Sequence, residues 1–127
     1  MLFDTHAHLD DQAFAADLPD VLQDATRKQV TRTLAVAVSA ASSHQTVALA
    51  CQHDQIDAAV GIQPNVVGDA KQGDWDQIVQ LANDLAAVAI GETGLDRHWD
   101  DTPFDQQQDY FDRHLRLAQR VDLPFIV

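Results

Sequence analysis

Residues 33–62 read TLAVAVSAASSHQTVALACQHDQIDAAVGI and contain two short apolar runs, Thr33–Val38 and Ala58–Ile62, of the kind that form buried strands. Ser42 and Ser43, between these runs, are suited to capping a helix. The inner face of that helix is predicted at Val47, Ala50 and Cys51. A strand, a helix and a second strand in this order predict a right-handed unit with two parallel strands.

The same alternation continues on both sides of this unit. Toward the amino terminus, an extended run from Met1 through Leu9 precedes a helix start at Asp17, with Pro19 in its first turn. The other predicted elements are a helix from Asp74 with Ile78, Leu81, Ala82 and Leu85 on its inner face, a strand Ala87–Ile90, a helix from Thr102 and Pro103 with Phe104, Phe111, Leu115 and Ala118 on one face, and the start of a fifth strand at Leu123–Val127. No shift in composition marks a second domain, so residues 1–127 are predicted to form a single domain.

An α/β chain with this order of elements forms either an open doubly wound sheet or a (β/α)₈ barrel. A barrel needs ~250 residues, so the 127 residues of this sequence would make close to half of one. Because the sequence stops inside the last predicted strand, we expect a truncated chain.

The sequence is strongly acidic, since 20 Asp and Glu residues against 8 Lys and Arg residues give a formal net charge of −12. Such a chain has no basic footprint for following a nucleic-acid backbone, which disfavours tight wrapping of DNA. A phosphoester substrate stays compatible with this charge if bound cations supply the positive field locally.

The sequence carries no sign of export or of membrane insertion. Its single cysteine excludes an intrachain disulfide and fits a reducing compartment. The first residues lack the basic and apolar regions of a signal peptide, and no apolar run approaches the ~20 residues of a membrane span. We therefore expect a cytoplasmic protein with no membrane partner.

The segment DTHAHLD, residues 4–10, ends the first predicted strand. Since strand side chains alternate between faces, His6 and His8 are predicted to point the same way, about 6–7 Å apart along the strand. Two imidazoles in that arrangement can bind one metal ion together, whereas the alternative is a pair of structural histidines. Asp4 shares their face, and Asp10 is placed to orient an imidazole.

The segment GETGLD, residues 91–96, follows directly after the strand Ala87–Ile90 and contains Glu92, the one glutamate of the sequence. In parallel α/β folds the ligand site gathers at the carboxyl ends of the strands, so Glu92 is predicted at the same face as His6 and His8. A carboxylate can bridge two cations in a binuclear hydrolase site, which makes Glu92 the bridging candidate. The alternative is a strand-exit turn with a solvated glutamate.

The segment GIQPN, residues 61–65, follows the third predicted strand, where Gln63 can hydrogen-bond a phosphate or carbonyl oxygen. Arg97 and His98 lie just beyond the Glu92 turn and could hold a phosphate, although a surface loop is the simpler interpretation. Gln63 and Arg97 are therefore the candidate substrate-binding residues.

Two groups of residues are predicted to have no role in chemistry. The histidines in predicted helices are expected to be solvated, and they are His44, His53 and His114. Trp75 and Trp99 lie near helix starts, where packing is the ordinary role of a tryptophan.

Four segments together resemble the TatD family of metal-dependent hydrolases, within the amidohydrolase-like barrels. They are DTHAHLD at 4–10, GIQPN at 61–65, AIGETGLD at 89–96 and LPFIV at 123–127. The resemblance covers the whole chain and implies an α/β fold of the (β/α)₈ TIM-barrel type. The chain would form about the first half of that barrel, from the first strand and helix to the start of the fifth strand.

The resemblance also implies two divalent metal ions, Mg, Mn or Zn, and hydrolysis of phosphodiester bonds by a deoxyribonuclease of the 3′ exonuclease type. DNA or a small phosphodiester would be the substrate. His6 and His8 would bind one ion and Glu92 would bridge both as the catalytic carboxylate. A metal-bound hydroxide would attack phosphorus. The residues implied to support these ligands by hydrogen bonds are Asp4, Asp10 and Asp96.

The sequence departs from the family pattern in two places. Gln63 stands where the family usually has a histidine, and an amide can donate a hydrogen bond but cannot carry a proton or a charge. The remaining ligands of the family, two histidines and an aspartate, would lie beyond residue 127. We therefore expect the isolated chain to be inactive or nearly so, and to self-associate through its exposed barrel edges.

Two other functions stay open at this stage. One is an amidohydrolase-like enzyme that uses the same ions on a small amide, lactone or phosphate ester, which the acidic surface and Gln63 favour. The other is a barrel fragment without catalysis that serves as a binding or assembly module.

Overall fold

The computed structural model describes residues 1–84, 87–99 and 101–127, and the strands among them form one parallel sheet. The strands are β1 (Leu2–Ala7), β2 (Val30–Val36), β3 (Ile56–Val60) and β4 (Ala87–Ile90). The α-helices are α1 (Leu18–Arg27), α2 (Ala40–Gln52), α3 (Asp74–Asn83) and α4 (Phe104–Val121), with short 3₁₀ turns at Gln12–Phe14 and Val67–Asp69. The predicted alternation of strands and helices is confirmed.

The strand order in the sheet is β1-β2-β3-β4, which is also the order along the chain. A doubly wound sheet reverses direction at a switch point, whereas a barrel adds each new strand on the same side. The observed order has no reversal, so it decides between the two predicted architectures in favour of the barrel type.

The core lies on both faces of the sheet. On the helical side, β3 and β4 pack against α3 and α4 through residues such as Val60, Ile78 and Leu117. On the other side, Leu34 and Val36 of β2 meet smaller residues of β3 and β4. Small and branched side chains on that inner side let the strands curve around a narrow interior.

The fifth strand is only partly formed. Phe125 makes a single parallel bridge to Ile90, supported by hydrogen bonds from the Ile90 N–H to the Pro124 carbonyl and from the Ile126 N–H to the Ile90 carbonyl, both 2.8 Å. Residues 123–127 therefore lie beside β4, as the prediction of a strand start requires, although the ladder is limited to one bridge.

Two details of the helices differ from the prediction. Helix α2 begins one turn earlier, because the hydroxyl of Ser39 accepts the Ser42 N–H at 3.1 Å and makes Ser39 the cap. Cys51 is exposed instead of buried, since the buried residues of α2 lie in its first half, at Ala40 to Thr46. Leu85, predicted on the inner face of α3, lies outside the described residues.

Across the described ranges, the helices lack the combination of length and apolar character that crossing a bilayer demands.

Two glycines allow the strand ends to approach one another closely. A Cβ on Gly61 would lie 2.7 Å from the carbonyl carbon of Gly91, and a Cβ on Gly91 would lie 2.8 Å from the carbonyl oxygen of Ile126. Contacts this short are available only to glycine. The carboxyl ends of β3 and β4 therefore converge, which brings their exit loops to one place.

Candidate metal centre

His6 and His8 stand at the carboxyl end of β1, where His6 belongs to the strand and His8 lies one residue past it. Their rings are 5.2 Å apart between centroids and meet edge to face at 80°. Both imidazoles present Nε2 to the same carboxylate, so the predicted common face is confirmed.

Glu92 lies two residues after β4, and hydrogen bonds of its backbone fix its position. Its N–H donates to the Ala37 carbonyl at 2.8 Å, which ties the exit of β4 to the exit of β2. The flanking N–H groups of Gly91 and Thr93 donate to Val60 and Ile126, at 2.8 and 3.1 Å. Residues at the ends of β2 and β3 and in the segment beside β4 thus hold Glu92, and its side chain reaches the imidazoles at the end of β1.

The three side chains converge on one point. Glu92 Oε2 lies 3.3 Å from His6 Nε2 and 3.7 Å from His8 Nε2. One ligand atom from each residue lies within 4.8 Å of the others, and the imidazoles are exposed while the carboxylate is half-buried. Two imidazole nitrogens and one carboxylate oxygen at this separation make an open, solvent-accessible ligand set for a divalent ion.

A backbone hydrogen bond prepares His8 for a metal. Its Nδ1 lies 2.8 Å from the Val36 carbonyl oxygen, which can only accept, so Nδ1 carries the proton. In the neutral ring Nε2 then holds a lone pair that faces Glu92 Oε2, another acceptor. A cation placed between these two acceptors satisfies both, so the residues present fit a divalent ion.

The aspartates expected to support the ligands make other contacts. Asp4 Oδ1 accepts the backbone N–H of His6 at 3.2 Å, and Asp10 Oδ2 accepts the hydroxyl of Ser42. The orienting contact that sequence reasoning assigned to Asp10 is thus made by the Val36 carbonyl. A backbone acceptor leaves no residue-type signal, which is why the sequence could not reveal it.

Asp96 links the exit loops of β3 and β4. Its carboxylate accepts the Asn65 side-chain amide at 3.0 Å and the His98 backbone N–H at 2.6 Å. These hydrogen bonds, with that from Asn65 the larger, hold the pKa of the Asp96 carboxyl below its ordinary value. Its own N–H donates to Gln107 Oε1 at 2.8 Å, so α4 braces the same loop.

The two candidate substrate-binding residues lie on separate loops, Gln63 after β3 and Arg97 after β4. The Gln63 N–H donates to the Val38 carbonyl at 3.0 Å, which keeps the residue at the exit of β3 with a half-buried side chain. Arg97 is exposed, and its guanidinium carbon lies 4.0 Å from the centroid of the Phe104 ring.

His114 was predicted to be solvated, and this was wrong, since it is fully buried at 0% exposure. Its Nδ1 donates to the Tyr110 carbonyl at 2.6 Å, and its Nε2 accepts the Ile62 N–H at 3.0 Å, next to Gln63. Burial lowers its pKa to about 4. His114 lies three residues after Phe111 and four before Ala118, so helical spacing already put it on the apolar face.

Comparisons of the sequence with known proteins all point to one family. The family profile described as TatD related DNase matches residues 3–127. The uncharacterized metal-dependent hydrolase YabD of Bacillus subtilis is 37% identical over 127 residues, which is 100% of this chain and 50% of that protein. The 3'-5' ssDNA/RNA exonuclease TatD of Salmonella typhimurium is 28% identical over 99% of this chain and 48% of its own length.

A solved structure agrees with the sequence matches. The crystal structure of YjjV, a TatD homologue from Escherichia coli, superposes with a TM-score of 0.91 at 33% identity, covering 98% of this chain and 49% of YjjV. The chain thus spans about half the length of the relatives it matches, and its four strands form about the first half of their (β/α)₈ barrel. With the family profile matching residues 3–127, this chain belongs to the TatD-related family of metal-dependent hydrolases.

Proposed function

We propose that the protein contributes to a divalent-metal-dependent phosphodiesterase, a TatD-like nuclease that removes nucleotides from the 3′ end of DNA. This proposal rests on the convergence of His6 Nε2 and His8 Nε2 on Glu92 Oε2. Both nitrogens lie within 3.7 Å of that oxygen, at the carboxyl end of the parallel strands. The exonuclease name of the Salmonella relative supports the substrate class.

Divalent ions in such a site lower the pKa of bound water and offset negative charge on phosphoryl oxygens. His6 and His8 would hold an ion, with the His8 ring oriented by its hydrogen bond to the Val36 carbonyl. Glu92 has two carboxylate oxygens and is suited to bridging a first and a second ion. The positive charge of the ions would locally offset the net charge of −12, which otherwise repels a phosphodiester.

Gln63 is proposed as a hydrogen-bond donor to a phosphoryl oxygen. An amide binds such an oxygen without carrying a proton, so proton transfer to the leaving group falls to another group.

The second candidate is hydrolysis of a small phosphate ester, amide or lactone with the same ligands. The acidic surface favours it, because a long polyanion is repelled along its whole length whereas a small ester meets only the metal centre.

The test is whether a phosphodiester binds at a metal held by these residues. The metal-free protein is loaded with Mn²⁺, and bound metal is measured by elemental analysis after desalting. The phosphorus resonance of the dinucleotide thymidylyl-thymidine is then recorded, since Mn²⁺ within a few bond lengths broadens it. We expect the loaded protein to retain Mn²⁺ and to broaden this signal more than it broadens the signals of a small amide or lactone.

The matched variants are Glu92→Gln, which removes a ligand charge, and Asp105→Asn, which removes the same charge from the first turn of α4. We expect Glu92→Gln to weaken Mn²⁺ binding by about tenfold or more and to abolish the broadening, and Asp105→Asn to change neither. Equal Mn²⁺ binding in both variants would contradict the metal centre. Retained Mn²⁺ with broadening of the amide or lactone alone would favour the second candidate.

A further inference from the structure

Trp99 does not pack as the sequence predicted, since 58% of the residue is exposed. It lies seven residues after Glu92, on the loop between β4 and α4, and the His98 ring meets it edge to face with centroids 4.7 Å apart. Trp99 is on the same loop as Glu92, and an exposed tryptophan in that position offers an aromatic face to a bound molecule.

Trp99 lines an open cavity of about 470 Å³ together with Arg97 and Phe104. This volume lies within the range of roughly 300–1,000 Å³ found for small-molecule sites. The cavity offers an indole and a guanidinium group that lies over a phenyl ring, and its wall also includes Asp96, whose carboxylate accepts hydrogen bonds from Asn65 and the His98 N–H. An aromatic face near a guanidinium group can bind a nucleotide through stacking and through its phosphate.

Arg97 is suited to the phosphate. Four other arginines among the described residues, all on helices or strands, form ion pairs with aspartates. They are Arg27, Arg32, Arg113 and Arg116. The Arg97 guanidinium carbon instead lies over the Phe104 ring, 4.0 Å from its centroid. Guanidinium N–H groups can still hydrogen-bond a phosphate when the guanidinium carbon contacts an aromatic face.

The cavity walls are held by buried polar groups. Gln107 is 2% exposed, accepts the Asp96 N–H at 2.8 Å and donates to the Thr102 carbonyl at 3.0 Å. The Thr102 hydroxyl donates to the Asn65 carbonyl at 3.1 Å, which ties the cavity to the exit loop of β3. These contacts join the cavity to the loops that carry Gln63 and Glu92. Because they already hold the cavity walls in place, less conformational entropy is lost when a ligand binds.

We propose that Trp99, Arg97 and Phe104 form a nucleotide subsite, in which a base of a single-stranded nucleic acid stacks on the Trp99 indole and the adjoining phosphate meets Arg97. This inference rests on the proposed phosphodiesterase function and specifies its substrate as single-stranded, because a base inside a duplex has no free face for an indole. It also explains how a chain of net charge −12 holds a nucleic acid, since base stacking does not depend on charge.

The test uses the indole N–H signals of the two tryptophans in a ¹⁵N-labelled, metal-free protein with EDTA present. The probe is a single-stranded thymidine tetranucleotide, compared with a tetranucleotide of the same charge that lacks bases. We expect the thymidine probe to shift the Trp99 signal and the abasic probe to leave it nearly unchanged. Trp75, half-buried against Tyr110 and His114, is an internal control that should not shift.

The variants are Trp99→Phe, which keeps an aromatic face, and Trp99→Ala, which removes it. Alanine is expected to weaken binding of the thymidine probe about tenfold, since stacking contributes roughly 1–3 kcal/mol per base, while phenylalanine restores most of the affinity. Arg97→Ala should weaken binding of both probes, and Arg120→Ala, at the last turn of α4, should change neither.

Equal shifts with both probes, or no shift with either, would overturn the base-stacking subsite. This binding is measured without metal, so its outcome is independent of the Mn²⁺ test. A failed Mn²⁺ test with an intact Trp99 response would therefore refute the metal centre alone, and the reverse pattern would refute the subsite alone.

Discussion

At the scale of single residues, two histidines with the same backbone contact have opposite roles. His8 and His114 each donate Nδ1–H to a carbonyl, at 2.8 and 2.6 Å, which fixes the same tautomer in both. His8 Nε2 opens to solvent beside Glu92, whereas His114 Nε2 accepts the Ile62 N–H inside the core. Exposure, and not the tautomer, separates the candidate ligand His8 from the structural residue His114.

His114 should make stability depend on pH. Its pKa is lowered from 6.5 to about 4 by burial, so the unfolded chain takes up this proton more readily than the folded chain. The stabilisation is therefore present in full above pH 6.5 and is lost as the pH falls toward 4, by about 3 kcal/mol in total. Urea unfolding at several pH values between 7 and 4 measures this loss.

The matched variant for this prediction is His114→Gln, which can offer an acceptor for Ile62 but does not titrate. The acid-induced loss in this variant should be smaller than in the natural protein, because glutamine takes up no proton when the chain unfolds. The exposed His44, replaced by Gln, serves as the control and should retain the full loss. Parallel pH curves for the natural protein and His114→Gln would contradict the assignment.

The convergence of His6, His8 and Glu92 could be predicted from the sequence because all three follow strands that end at the same edge of the sheet. The contacts that position them could not. Val36 and Ala37 act through backbone carbonyls, which every residue has, and Gln107 is recognisable as buried only once the side of α4 that faces the sheet is known. Trp99 was assigned to packing because that is the ordinary role of tryptophan, and only the fold reveals its exposure.

At the scale of elements, all four strands and all four α-helices of the described chain were predicted in their correct order. Apolar runs and helical spacing determine this order, and they are local properties of the sequence. The start of α2 was misplaced because three serines, Ser39, Ser42 and Ser43, each have a hydroxyl that can cap a helix, and the sequence alone does not say which one does. The single bridge at Phe125 depends on contacts with β4 and has no local signal.

The close approach of the strand ends predicts a sensitive glycine. Gly61→Ala would place a Cβ 2.7 Å from the Gly91 carbonyl carbon and push the Glu92 segment away from β3. We expect a loss of about 1–3 kcal/mol in stability together with weaker Mn²⁺ binding. Urea unfolding and Mn²⁺ titration measure the two effects on the same sample.

Gly73→Ala is the matched control for this substitution. Gly73 has a φ of +94°, and no atom lies within 4 Å of the point that a Cβ would occupy, so alanine there is strained but not crowded. It should lower stability and leave Mn²⁺ binding intact. If Gly61→Ala also leaves Mn²⁺ binding intact, the glycine contact does not position Glu92.

At the scale of the whole molecule, apolar side chains are exposed along both flanks of the sheet. Leu2 and Phe3 of β1 are 60% and 52% exposed, and Phe125 and Val127 beside β4 are 47% and 71% exposed. Strand edges with exposed apolar residues tend to pair with further chains. The charge of −12 opposes this pairing by repulsion that salt screens.

We therefore expect the 127-residue chain to self-associate, and to do so more strongly as salt is added. Sedimentation velocity at several protein and salt concentrations measures the effect. Phe3→Lys should shift the population toward the monomer, whereas Leu95→Lys, at an exposed loop position, should have little effect. A monomer at all concentrations, or equal effects of the two substitutions, would show that the flanks do not mediate association.

The ligand set has a consequence for chain entropy. His6 and His8 follow the first strand and Glu92 follows the fourth, so an ion held by all three closes a loop that contains most of the chain. Closing a long loop removes configurational freedom from the unfolded ensemble, as a disulfide does. In a sequence whose lone cysteine offers no intrachain disulfide, an ion held there would act as a removable cross-link, and the concentration of metal would change the free energy of unfolding.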